Sequence, residues 1–317
     1  MSERFANQYL IGDLVNEISK VIRGKEESVM LVITTLLAGG HVLIEDVPGV
    51  GKTTLAMALG KASGLMFRRA QFTPDVMASD ITGFTMFNKE ENSFEYCPGL
   101  SMTNILLADE INRTSPKTQS ALLEAMEEKR VTVDGNVHWL PDPFMVIATQ
   151  NSQGYVGTFP LPEAQLDRFM IKISMGYPTI EEETKIMIDR IADNPVSSVK
   201  NVMSVDVLKE CINDVRYIIF AESLCKYVAE LAAATRNHPS VALGVSPRAS
   251  IAIMQASRAF AYLCGRDYVV PEDIVRLMIP VFEHRIVLKQ ETRLSRRTVR
   301  TVLQDVVSEV TPPIRRS

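Results

Sequence analysis

Two stretches hold the residues best placed to do chemistry. In residues 43–54, LIEDVPGVGKTT, an apolar run gives way to a loop ending Gly49-Val50-Gly51-Lys52-Thr53 and then to the helical pattern LAMALGKA. Strand, loop and helix in that order suit a phosphate, because free N–H groups at a helix start point at an anion and the helix dipole favours negative charge there. The candidate cradle is Val47, Pro48, Gly49, Val50, Gly51, Lys52, Thr53 and Thr54. Its glycines admit the ligand close to the backbone, Lys52 can reach the β and γ phosphates, and Thr53 offers a hydroxyl to Mg²⁺. The usual pattern, GxxxxGK[ST], opens on glycine, whereas this chain has Asp46 at that position.

The second stretch is ILLADEIN, residues 105–112. Its apolar run reads as a buried strand ending in Asp109-Glu110, which puts two carboxylates at the strand end where open α/β sheets hold their ligands. Asp109 is expected to hold Mg²⁺, most simply through water, and Glu110 to polarise the water that attacks the γ-phosphorus. Together the two stretches predict a chain that binds and uses ATP with Mg²⁺. A further strand, MVIATQN, ends at Asn151, an amide that could orient the attacking water or simply cap a turn. Arg168 in LPEAQLDRF and Arg248 in SPRAS are single arginines, and residues of that kind usually lie on the surface.

The elements needed to position these residues can be read from periodicity. Amphipathic helical stretches at 7–22 and 26–38 precede the first strand at 41–45. Apolar runs at 65–72, 105–108, 144–149 and 169–173 alternate with helical or turn-rich segments, the pattern of a parallel sheet covered on both faces. After Gly176-Tyr177-Pro178 strand signals nearly vanish, and helices are predicted at about 180–192, 205–216, 222–236, 247–264 and 271–282. An α/β nucleotide-binding domain over 1–177 and an all-helical lid over 178–317 follow. Ser246-Pro247 and Val270-Pro271 mark helix starts, and residues 193–201 read as an exposed connection.

Composition narrows the class. The chain has 317 residues, 46% apolar and 23% charged, with net charge −4 from 34 basic and 38 acidic side chains, which argues against a protein built to wrap nucleic acid. Cys97, Cys211, Cys225 and Cys264 lack metal-ligand spacing and are expected to be reduced and mostly buried. The amino terminus has no signal-type apolar core, and no run is long enough to span a membrane, so a cytoplasmic location without membrane insertion is expected. The basic residues over 293–300, with Arg315 and Arg316, read as a solvated helix face and tail.

Taken together, LIEDVPGVGKT, RAQFTPDVMASDITG, ILLADEINRTSPKTQSALLEAMEEKRVTVDG, FMVIATQN, FPLPEAQLDRF and SPRAS resemble the MoxR family of AAA+ ATPases over nearly the whole chain. The family shares the residue at Asp46. The resemblance implies a P-loop sheet domain followed by a helical lid, and a homo-oligomeric ring, usually a hexamer. It makes Asn151 the first sensor of γ-phosphate, Arg168 the arginine finger given to a neighbour's ATP, and Arg248 the second sensor reaching from the lid. It also implies chaperone-like maturation of client proteins, including metal or cofactor insertion, often with partners containing a von Willebrand factor A domain. The segment 72–87 resembles the family's insert near helix two. Residues 130–140, with Asp134-Gly135-Asn136 as a turn signal, read as a β-hairpin that either faces a pore or simply packs.

Other classes remain at this stage. A nucleic-acid motor is disfavoured because the hairpin tip carries Asp134 and no cation, and Arg68 and Arg69 lie close to the second strand, where packing or a rim position accounts for them. A transcriptional activator finds only a faint echo in ITGFT. A switch without hydrolysis would have no need of Glu110.

Overall fold

The computed structural model describes residues 5–151, 158–192 and 195–313. Helices α1 (Tyr9–Ser19) and α2 (Glu26–Leu37) lead into β1 (Val42–Glu45), α3 (Lys52–Ser63) and β2 (Phe67–Gln71). Next come α4 (Ala78–Thr82), β3 (Gly83–Asn88), β4 (Ser93–Pro98), β5 (Ile105–Asp109) and α5 (Pro116–Glu128). The hairpin β6 (Arg130–Val133) and β7 (Asn136–Trp139), then β8 (Met145–Gln150), α6 (Glu163–Leu166) and β9 (Ile171–Ile173), complete the sheet region. The remainder is α7 (Ile180–Ala192), α8 (Val205–Asp214), α9 (Glu222–Asn237), β10 (Val241–Leu243), α10 (Pro247–Leu263), α11 (Pro271–Phe282), β11 (Val287–Leu288), α12 (Gln290–Leu294) and α13 (Val299–Glu309).

The main sheet has five strands in the order β2-β5-β8-β1-β9, all parallel. Its inner strands are apolar along their length because helices cover both faces. Parallel register puts the ends of β1, β5 and β8 on one edge, with Glu45 opposite Gln150 and Ala108 opposite Ala148. The loop after β1 and the acidic pair after β5 therefore share that edge, with Asn151, the residue after β8, between them.

Two apolar cores flank the sheet. The larger joins Ile11, Leu36 and Leu59 to Leu231, Ile253 and Leu277, so it runs from the first two helices across α3 into the lid and crosses the 177/178 junction without a break. The smaller lies under α5 and the β6–β7 hairpin, around Leu106, Leu122 and Phe144. Local capping agrees with the chain signals. Ser246 Oγ accepts from Ala249 N ahead of Pro247, and the Asp273 carboxylate accepts from Val270 N at 2.9 Å.

Several expectations need correction. The structured segment runs beyond the 72–87 insert: β3, which begins within it, pairs antiparallel with β4 after it. The lid is helical except for β10 and β11, which form a short antiparallel pair. The connection read as exposed over 193–201 is so only in part: Ser197, Ser198, Lys200 and Asn201 are exposed, but Val196 and Val199 are buried; Asp193 and Asn194 lie outside the described residues. Of the thiols, only Cys211 is buried, and Cys225 and Cys264 are exposed. Arg297 pairs with Asp305 and Arg300 with Glu283, so part of the basic segment is engaged; Arg315 and Arg316 lie outside the described residues. The 130–140 hairpin turns on Asp134 and Gly135, both at positive φ (49° and 80°), while Asn136 already belongs to β7. No helix among the described residues is long and apolar enough to cross a membrane.

Candidate active site

The loop from Asp46 to Gly51 leads into α3, whose first residue is Lys52. Gly49 and Gly51 hold φ of +87° and +93°, and a Cβ on either would meet nothing within 4 Å, so the backbone there is open to a ligand. Gly51 caps the helix without a side-chain bond, which leaves the first N–H groups of α3 available. Lys52 Nζ donates to Asp46 O at 3.1 Å. Partial burial lowers the pKa of the ammonium, while the charges of Asp46, Asp109 and Glu110 act to raise it.

Asp46 explains why no glycine is needed to open the loop. Its carboxylate is buried and accepts from Val47 N at 2.9 Å, Met175 N at 2.5 Å and Gly176 N at 2.7 Å, with Ser174 Oγ at 3.3 Å. It thus ties the start of the phosphate loop to the segment that leaves β9 for the lid.

Asp109 and Glu110 are organised by Thr149. The threonine hydroxyl donates to Asp109 Oδ1 at 2.6 Å and accepts from Glu110 N at 2.9 Å. Glu110 sits at φ +57°, a left-handed conformation that is costly for a non-glycine residue and swings its carboxylate out of strand alternation. Both carboxylates already carry cationic or amide partners. Arg69 Nη2 donates to Asp109 Oδ2 at 2.6 Å, while Gln71 Nε2 and Arg113 Nη1 each donate to Glu110 Oε2 at 2.9 Å. Arg69, read as a rim or packing residue, therefore belongs to the site, as does Gln71, which carried no sequence signal. Arg68 does pack, donating to Gly99 O at 3.0 Å. The oxygens of Thr53 and Asp109 are the hard donors that Mg²⁺ prefers, and Arg69 marks a position on Asp109 where positive charge is accommodated.

Arg168 and Arg248 lie elsewhere. Arg168 precedes β9, whose start pairs with His41 at the beginning of β1, so it lies at the opposite edge of the sheet from Lys52. The four residues of β1 put about 13 Å of strand between the two edges. Arg168 Nε approaches Glu127 Oε2 at 3.0 Å, and Arg248 Nη2 donates to Glu127 Oε1 at 3.2 Å, so the two guanidiniums converge on one carboxylate. They line a cavity of about 270 Å³ with His41, Lys129 and Ile251.

A residue with no local sequence signal holds this edge together. Arg285, whose side chain is 3% exposed, donates to Asp167 Oδ1 at 2.5 Å, Phe169 O at 2.7 Å, Asp167 O at 3.0 Å and Met170 O at 3.1 Å. Burial lowers its pKa, and the Asp167 charge opposes that shift. The lid thereby fixes the turn that carries Arg168.

A phosphate loop and an acidic pair at one edge of a β2-β5-β8-β1-β9 parallel sheet, followed by a helical lid, define an AAA+ ATPase, an ATP hydrolase. Residues 41–171 match the ATPase family associated with various cellular activities (AAA), and residues 233–306 match the AAA lid domain. The chain belongs to the MoxR family of these ATPases. It is 38% identical to Chaperone MoxR1 of Mycobacterium tuberculosis, over 94% of this chain and 81% of that one. It is 48% identical to YeaC of Bacillus subtilis, over 97% and 96% of the two chains. Identity to Protein MoxR of Methylorubrum extorquens is 28% over 93% of each chain. A crystal structure from Cytophaga hutchinsonii superposes with TM-score 0.91 at 35% identity, covering 98% of this chain and 97% of that one.

Proposed function

We propose that the chain is a chaperone-like remodeller that works as a homo-oligomeric ring, six subunits by family resemblance, in which each nucleotide site is completed by Arg168 and Arg248 of the next subunit. The observation that carries this reading is the separation of Lys52 from the arginine pair, on opposite edges of one sheet. About 13 Å of strand keeps a subunit's own arginines from its own γ-phosphate. A neighbour can supply them, which makes hydrolysis depend on assembly.

Within each site, backbone N–H groups over residues 47–54, Pro48 excepted, together with Lys52 grip the triphosphate, and Thr53 and Asp109 would hold Mg²⁺. A bound Mg²⁺ would supply charge neutralisation of the triphosphate there. Glu110, once released by Gln71 and Arg113, takes a proton from the attacking water, and Asn151 orients that water. Asp46 passes changes in the loop to the lid through the Met175 and Gly176 amides. The name of one relative, Chaperone MoxR1, supports a client that is another protein; by family resemblance alone, that client is matured in the cytoplasm with help from a von Willebrand factor A partner or through metal or cofactor insertion. The hairpin tip, Asp134-Gly135, offers no cation to a nucleic-acid phosphate.

Mixing variants tests the reading. Arg168→Ala should bind nucleotide normally yet turn it over at least about a hundredfold more slowly. Adding Lys52→Ala subunits, inactive alone, should restore turnover by pairing an intact loop with an intact arginine. Failure of every mixing ratio to rescue activity rules out donation in trans.

A further inference from the structure

Helix α7 forms a wall of the cavity at the phosphate loop, yet none of its residues from Ile180 to Ile191 is buried. A helix of 13 residues is marginal in water without tertiary packing. Its inner edge is Glu182, Ile186 and Asp189, all partly covered, and Asp189 accepts from Arg23 at 3.2 Å. Ile186 and Asp189 line a cavity of about 250 Å³ with Gly49, Val50 and Gly51. The opposite edge is an apolar stripe in open solvent: Ile180 is 81% exposed, Met187 and Ile188 58% each, and Ile191 84%. At offsets of 7, 8 and 11 from Ile180, these side chains fall within roughly 100° of one another around the helix. Such a stripe normally faces a core, and here none of the described residues covers it.

We infer that this stripe seats a second copy of the chain, which docks with the edge that carries Arg168 and Arg248. The inference rests on the in-trans reading above. A body packed on the stripe stands one helix diameter, about 10 Å, from the phosphate loop, where a neighbour must stand to reach it with an arginine. Charge agrees: the first turn of α7 carries Glu181, Glu182 and Glu183, while the other edge presents Lys129, Arg168 and Arg248 around Glu127. Ile251, 53% exposed and one turn beyond Arg248 on α10, offers that edge an apolar contact for the stripe. Docking would bury the face that α7 lacks in the free subunit, coupling the order of the cavity wall to assembly.

Sedimentation of the full chain with Mg²⁺ and slowly hydrolysed ATPγS, over a range of protein concentrations, tests this with Met187→Glu/Ile191→Glu. Half-assembly should need roughly tenfold to a hundredfold more protein than wild type, while a fluorescent ATP analogue binds the monomer within about twofold of wild type. If the double variant loses monomer binding, Ile191→Lys, at the most exposed position, decides by the same readout. Wild-type assembly matched at equal concentration by the variants overturns the stripe as the seat of a second copy and leaves it to another protein, with the in-trans reading intact. A wild type that stays monomeric, or Arg168→Ala with full turnover, brings down the in-trans reading and this inference with it.

Discussion

The two edges of the sheet are made in different ways. The edge with Lys52 is assembled from neighbours in sequence, since loop, helix start and Lys52 span a few residues and Asp109-Glu110 are adjacent. The opposite edge is assembled at long range: Arg168 and Arg248 meet at Glu127 of α5, and Arg285 reaches back to the turn around Asp167. At the first edge the backbone at Gly49 and Gly51 is open. At the second, buried side chains saturate the backbone carbonyls of a turn. A change at Lys52 should therefore cost ligand binding with little loss of fold, whereas a change at Arg285, which holds the turn of the second edge, should cost fold.

The sharpest contrast comes from one substitution at each edge. On the proposed phosphate grip, Lys52→Ala should weaken ATP binding by about a hundredfold, with the unfolding midpoint close to wild type. Calorimetric titration beside denaturant unfolding reads both quantities, and comparable losses in each would erase the distinction. Arg285→Ala reverses the pattern. It leaves the Asp167 carboxylate without its guanidinium partner and the Met170 carbonyl without its Arg285 donor, and should cost about 3–5 kcal/mol of stability. A cost below about 1 kcal/mol, the range of an exposed pair, would mean that the lid does not hold the turn.

This difference also governs what the chain reveals before it is folded. Lys52, Thr53, Asp109 and Glu110 stand out as candidates because phosphate chemistry demands fixed residue types at fixed local spacing, and the buried strands are legible because parallel pairing needs unbroken apolar runs. The boundaries of α7 and α11 agree with the sequence reading because polar or proline punctuation marks them. Arg285 is invisible in the sequence: in FEHRIV it has no local pattern, and the turn it holds, Asp167 to Met170, lies more than a hundred residues away. Gln71 and Arg69 face the acidic pair only because β2 pairs with β5, a register that no spacing within the chain announces. Strand β4 has the polar run SFEYCP because it lies in a two-stranded hairpin outside the main sheet. The short pair β10 and β11 is set by the packing of the lid rather than by alternation.

Acid separates the edges more gently. His41 is buried at the arginine edge, with Nε2 bonded to Met126 O at 3.1 Å and Nδ1 accepting from Val146 N at 2.9 Å, a pattern that requires the neutral ring. Desolvation lowers its pKa to about 4. His284, buried against Phe169 O at the same edge, is lowered for the same reason, with the Arg285 charge adding to it. In the unfolded chain both rings take up protons below about pH 6.5, while the native state refuses them. The unfolded state then binds more protons, so stability is fully present above about pH 6.5 and declines as pH falls. His41 alone removes about 3 kcal/mol by pH 4, where its native form begins to protonate and the loss levels off. His41→Gln, which keeps a donor and an acceptor without a titrating ring, should flatten the decline of the unfolding free energy between pH 6.5 and 4. If wild type and variant trace parallel curves across that window, His41 does not carry the acid sensitivity of this edge.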